Sequence, residues 1–261
     1  MQNRRKFFAA AGGVFLARLL TCKANALPPD ASGEWRNRQA GMAYRRLGRT
    51  NFVISEVVMG GNTIAPDNCN HVLHAIDLGL NYLDTAPAYG DGRSEQGYAR
   101  VLKARRRDQV FLNTKVSPWD INRGRLYRDI FDSLSDPERA SLKKQVREEI
   151  ESSGAFEPDY IGDYFRGQRD ELETATLANL MEKKYGRRID RGKNYRKLVI
   201  DSIDGSLTRL GTDHLDLMMC PHGANTPAEV LNFPEIFAAF ETLKKAGKVR
   251  HLGVSSHTNR I

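Results

Sequence analysis

The chain has 261 residues, 40% of them hydrophobic and 28% charged, which suits one large domain or two small ones with a buried core and excludes a disulfide-stapled module. No stretch approaches the roughly 18 uninterrupted apolar residues of a membrane-spanning helix, and Cys22, Cys69 and Cys220 lack the spacing of a zinc or redox pair. Most of the formal charge of +8 sits on Arg4, Arg5, Lys6, Arg18 and Lys23, and the remaining +3 gives no argument for a nucleic-acid partner.

Residues 1–26 read as a targeting segment. Asn3-Arg4-Arg5-Lys6-Phe7-Phe8 is followed by a weakly apolar run from Ala9 to Leu20 and by Ala24-Asn25-Ala26, small residues that suit a signal peptidase. The Arg-Arg-Lys-Phe-Phe run resembles the bacterial twin-arginine motif, which predicts an exported, periplasmic protein, cytoplasmic if the leader does not function. Residues 27–42, rich in Pro, Gly and polar side chains and without periodicity, are expected to be a linker, with the folded part spanning 43–261.

From Ala43 onward, short apolar runs alternate with helical patterns, which predicts βα units around a parallel sheet. Strands are expected at Glu56 to Gly60, Tyr82 to Thr85, Val110 to Thr114, Leu215 to Met219 and Val249 to Val254. The helices between them stop at Gly79, Gly211 and Gly247, residues suited to the left-handed position that ends a helix. After the third strand the rhythm breaks. Residues 136–197 hold 27 charged residues in 62, and stretches such as SLKKQVREEIESS and ELETATLANLMEKK predict a helical insertion over about 120–197. It reads either as solvated decoration or as a lid over a substrate site.

Four strand ends carry residues whose types make joint chemical sense. The first strand of the set delivers Asp84, with Tyr89 on the loop beyond it; the next ends in Lys115; a third leads through Cys220-Pro221 to His222; the last ends in the hydroxyls of Ser255 and Ser256. In parallel βα folds the C-terminal strand ends share one face, where active sites gather. A free phenol, with a pKa near 10, is a poor proton donor at neutral pH unless a neighbouring ammonium stabilises its phenolate. Lys115 beside Tyr89 would supply that ammonium, and Asp84 would hold the ammonium charged and oriented. His222 would add a hydrogen bond to a substrate oxygen, so the set describes general-acid chemistry on a carbonyl. No metal site is expected.

The sequence resembles the aldo-keto reductase family. The matching segments are YRRLGRT from Tyr44 to Thr50, DTAPAYGDGRSE from Asp84 to Glu95, the strand ending at Lys115, SLTRLGTDHLDL from Ser206 to Leu217, and GKVRHLGVSS from Gly247 to Ser256. The resemblance implies a (β/α)8 TIM barrel, here with about five of its eight βα units, and NADPH-dependent reduction of an aldehyde or ketone. NADH is the alternative cofactor, and a small carbonyl compound is the only partner implied. It implies Tyr89 as proton donor, Lys115 and Asp84 as its tuning partners, His222 as the orienting group, and Ser255 and Ser256 as the pair that holds the nicotinamide carboxamide. Gly61, Asn62 and Thr63 fall on a cofactor-contacting loop. Two residues depart from the pattern: His222 comes one place late, after Pro221, and Ser256 stands where an Asn is expected. With too few strands to close a barrel, the sequence reads as the N-terminal part of a longer protein. The alternative reading of the same fold is a non-catalytic nucleotide-binding sensor or assembly subunit.

Overall fold

The computed structural model describes residues 32–117, 119–155 and 167–257. The leader and the end of the chain lie outside them, so the export signal has no structural counterpart here. Five strands form a parallel sheet in chain order: β4 (Met59–Gly60), β5 (Tyr82–Asp84), β6 (Phe111–Lys115), β7 (Leu215–Met219) and β8 (Val249–Gly253). Each neighbouring pair is joined by a crossover, through α1 (Asn70–Asp77), α2 (Arg93–Ala104), the helices after β6, and α8 (Pro234–Lys245) preceded by the short α7 (Ala228–Leu231). β6 is buried along its whole length, as expected for a central strand covered on both faces. Val72, Ile76, Val101, Val199, Ile203, Ile236 and Leu243 bring the apolar stripes of four helices onto Leu83, Leu112, Leu215 and Met218. α1, the long α6 (Arg191–Leu210) and α8 end just before Gly79, Gly211 and Gly247, all three in the left-handed region, as their positions predict.

The first expected strand is shorter than its apolar run suggests. Val57 and Val58 are exposed, and the Ser55 hydroxyl donates to the Val57 carbonyl at 2.6 Å, turning the chain before β4 begins at Met59. Apolarity marked the segment, but a local side-chain bond ended its extended run.

Residues 32–42, the described part of the segment 27–42, also differ from a linker. Within it β1 (Glu34–Trp35) pairs in parallel with β3 (Phe52–Ser55), which pairs antiparallel with β2 (Tyr44–Arg46). This three-stranded sheet sits on the N-terminal ends of the large one. Phe52 stacks on Phe111 with centroids 4.4 Å apart, and the Asn81 side chain bonds the backbone at Arg36, Val53 and Ser55. Below the sheet, the fully buried Asp216 accepts from Arg36, Arg107 and Arg250. Two-residue strands leave no period to read, and Arg36 resembled linker polarity while serving a buried acid.

Between β6 and the long α6 (Arg191–Leu210) stand α3 (Trp119–Asp132), α4 (Asp136–Ser152) and α5 (Gln168–Tyr185). They are more than solvated decoration: Tyr127, Ile130, Leu142 and Met181 form one small core, and Val146, Ile150, Ala155 and Leu172 another. α4 opens on a Ser135–Glu138 capping box. The insertion also ends earlier than residue 197, because α6 starts at Arg191 and its Tyr195 already belongs to the main core. Trp119, Tyr195 and Phe233 pack with centroids 5.2 to 5.3 Å apart and join the insertion to the sheet helices. Among the described residues, no helix is long and apolar enough to cross a membrane.

Candidate active site

The parallel register places Asp84 beside Asn113, and Lys115 lies two residues further on the same strand, hence on the same face. The Lys115 ammonium donates to both Asp84 carboxylate oxygens at 2.7 Å and to the Thr85 carbonyl at 2.9 Å, using all three of its protons. Asn113 Nδ2 adds a bond to Asp84 Oδ1 at 2.5 Å. The Lys115 side chain is 6% exposed against 24% for Asp84, so the ammonium depends on this carboxylate for its charge balance.

Tyr89 reaches the same place from the loop after β5. Its ring lies 4.7 Å from the Lys115 ammonium and meets the His222 ring edge-on at 5.7 Å. The loop is shaped by Gly90, Asp91 and Gly92, all with positive φ. It is pinned by a Thr85–Ser94 hydroxyl pair at 2.7 Å. Glu95, fully buried, accepts from Thr114 Oγ1 and from Arg209 Nε. The late His222 does reach the cluster: the Cys220–Pro221 peptide bond is cis, and the imidazole Nδ1 is hydrogen-bonded to the Ser117 hydroxyl. Burial, aided by the Lys115 charge and by His257, pushes the His222 pKa down to about 4. His222 is therefore neutral near pH 7, as a hydrogen-bonding group for an uncharged carbonyl should be.

Asp84, Tyr89, Lys115 and His222 thus come together. The remaining expected residues hold different positions. Gly61 is buried against β5, where an added Cβ would lie 2.5 Å from the Asp84 carbonyl and 2.7 Å from Ser94 Oγ, so packing accounts for this glycine. Asn62 and Thr63 are exposed beyond the end of β4. Ser255 and Ser256 follow β8; Ser255 is half-buried, and the Ser256 hydroxyl donates to the Ala224 carbonyl at 2.9 Å. The sequence reading did not assign Asn113 and Ser117 to the site, and it gave no role to His257, whose ring lies 6.4 Å from that of His222. The two-residue spacing of Asn113, Lys115 and Ser117 was the available signal, since it puts them on one side of an extended chain.

Five parallel strands in chain order, joined by helical crossovers and bearing an acid, an ammonium, a phenol and an imidazole at their C-terminal ends, form an α/β fold consistent with part of a (β/α)8 barrel. The family model for the aldo/keto reductase family matches residues 57–164 and 159–261, and the chain belongs to that family. Among curated proteins it is 28% identical over 228 residues to the aldo-keto reductase AMT2 of Alternaria alternata, covering 82% of this chain and 49% of that protein. It is 27% identical over 219 residues to the uncharacterized oxidoreductase YqkF of Bacillus subtilis, with the same shares covered. Among solved structures, the holo form of the aldo-keto reductase AKR11C1 from Bacillus halodurans aligns with a TM-score of 0.46 at 24% identity, covering 82% of this chain and 50% of that one. The chain spans about half the length of the curated relatives it matches.

Proposed function

We propose that this chain carries the proton-transfer half of an NADPH-dependent carbonyl reductase. The observation that carries the reading is the chain of contacts from Asp84 through the Lys115 ammonium to the Tyr89 ring, with the neutral imidazole of His222 at the ring edge. Polar groups at the rim suit a nicotinamide carboxamide: the part-exposed Ser255, the Ser256 hydroxyl as an acceptor while its proton goes to the Ala224 carbonyl, and the exposed side chains of Asn62 and Thr63. When bound, the dinucleotide supplies the hydride.

The carbonyl oxygen of the substrate accepts from the Tyr89 hydroxyl. It also accepts from His222 Nε2 in the tautomer that carries its proton there, with Nδ1 held by the Ser117 hydroxyl. As negative charge grows on that oxygen, the Tyr89 proton passes to it, and the ammonium stabilises the phenolate that remains. Asp84 holds the Lys115 ammonium in place beside the ring. Substrates are aldehydes or ketones.

The test is consumption of NADPH, and of NADH in parallel, with a panel of aldehydes. Tyr89→Phe should lower turnover by at least about 100-fold, the range of general-acid catalysis, without changing nucleotide affinity. Turnover that survives loss of this hydroxyl refutes the mechanism. We also propose export by the twin-arginine route, supported by Arg4 and Arg5 ahead of Phe7-Phe8. Replacing both arginines by lysine should abolish periplasmic recovery, and undiminished recovery would refute it.

A further inference from the structure

The insertion reaches the loop that carries His222 through a buried ion pair. Arg123 of α3 is completely buried with its guanidinium 4.7 Å from the centre of the Phe233 ring. Its Nη1 donates to Glu229 Oε1 at 3.1 Å, and its Nη2 donates to Asn179 Oδ1 of α5 at 2.5 Å and to Glu182 at 3.5 Å. Glu229, also completely buried, uses its second oxygen on the β7 loop. Its Oε2 accepts from the backbone N–H of Asn225 at 2.5 Å and of Thr226 at 3.1 Å. Asn179 Nδ2 takes hold of the same loop at the Thr226 hydroxyl, 3.2 Å away. Within the loop, Asn225 Nδ2 bonds the Gly223 carbonyl at 3.1 Å, next to His222. Ala224 then pairs with the Ser255–Ser256 segment, its N–H donating to the Ser255 carbonyl at 2.7 Å. A second tie comes from Gln168 at the start of α5, which donates to the His257 carbonyl at 3.4 Å.

Two buried charges are a costly way to pack helices together, because apolar residues of the same size would do so at least as well. What the pair supplies here is direction: a fork-shaped cation fixes a carboxylate, and the carboxylate fixes two successive backbone amides. We propose that the three-helix insertion is a positioning device for the candidate active site, in which Arg123, acting through Glu229, sets the β7 loop and thereby holds the His222 imidazole against Tyr89. Arg123 and Glu229 are positioning residues, with no contact to substrate of their own. The role rests on His222 being the orienting group, as proposed above, but its test needs no turnover.

The groups facing His222 are Lys115 on β6, Tyr89 after β5, His257 after β8 and the Ser117 hydroxyl, with Asp84 behind Lys115; Glu171 faces Glu229 from α5. The imidazole titrates low only while the loop keeps it buried. The test replaces both charges at once, Arg123→Met with Glu229→Leu, so that no unpaired charge remains at the pair, in the full chain. Histidine NMR then follows His222, with His251 on β8 as an internal reference. The expected result is a rise of roughly one pH unit or more in the His222 titration, with His251 and the circular dichroism spectrum unchanged. A His222 titration that stays where it was in the folded double variant overturns the proposal. If that variant does not fold, amide exchange in the unaltered chain decides. The N–H groups of Asn225 and Thr226 should exchange at least about 100-fold slower than an unstructured amide, and exchange at the unstructured rate overturns it. Loss of turnover in Tyr89→Phe bears on the chemistry alone, so the two readings fail separately.

Discussion

Asp84→Asn and Lys115→Met remove opposite ends of one ion pair, and the structure makes their consequences unequal. In Asp84→Asn the ammonium keeps the Thr85 carbonyl and one amide oxygen, but it stands 6% exposed with no counter-charge. Stranding one partner of a buried pair costs about 3–5 kcal/mol, and because the Asp84 side is 24% exposed, water softens the loss toward the lower figure. In Lys115→Met the carboxylate keeps Asn113 Nδ2 and its own access to water, so the loss is that of charge-assisted hydrogen bonds, about 1.5–3 kcal/mol. The double variant strands neither charge and should lose less than the sum of the two single changes. Urea unfolding followed by fluorescence of the buried Trp119 measures all three, with the midpoint shift read at constant slope. Equal losses from the two single variants, or a larger loss from Lys115→Met, would show that the ammonium does not depend on Asp84, and the tuning role of the carboxylate would fall with it.

His222 is buried neutral with its pKa pushed down to about 4, so below pH 6.5 the unfolded chain binds a proton that the folded chain refuses. Stability therefore falls as pH drops from 6.5 to 4, by up to roughly 3 kcal/mol; chemical unfolding across that window should show the fall, and His222→Gln should flatten it. Gly61→Ala pushes a Cβ to within 2.5 Å of the Asp84 carbonyl and should cost about 1–3 kcal/mol as overpacking; an unchanged melting temperature would contradict the close approach. At the other end of the sheet, Asp216→Asn leaves Arg36, Arg107 and Arg250 crowded around a neutral amide, with an expected loss of about 3–5 kcal/mol in urea unfolding.

The parallel sheet was legible because its central strands are buried runs bounded by turn residues, and four of the five strands begin and end within a residue of where the pattern puts them. The four principal site residues were legible for a related reason: strand ends are easy to locate, and one topological rule gathers them. What stayed hidden depends on partners distant in sequence. Arg36 looks like linker polarity until Asp216, 180 residues away, is seen to need it. Ser117 has no chemical signature until Pro221 has turned His222 toward it. The insertion announced itself by charge, yet the residues that matter most in it, Arg123 and Trp119, lie at its edge and are buried.

The two ends of the sheet use similar groups to opposite effect. Asp216 is fully buried and surrounded by three guanidiniums and the Leu112 N–H. Burial alone would raise its pKa, but Arg107 and Arg36 overcome that and hold the carboxyl below the usual range. With four donors on two oxygens it has no lone pair to offer and no proton to exchange near neutral pH, so it can only lock the N-terminal sheet to the strands above. Asp84 is also paired with a cation, but it is part-exposed, and its partner turns toward a phenol ring instead of a second acid. The Lys115 ammonium spends its three protons on Asp84 and Thr85, so at 4.7 Å from the centre of the Tyr89 ring it acts on that ring through its charge. Complete burial among three guanidiniums at one end and partial exposure beside a phenol ring at the other distinguish the two ion clusters, although each is built around a strand aspartate.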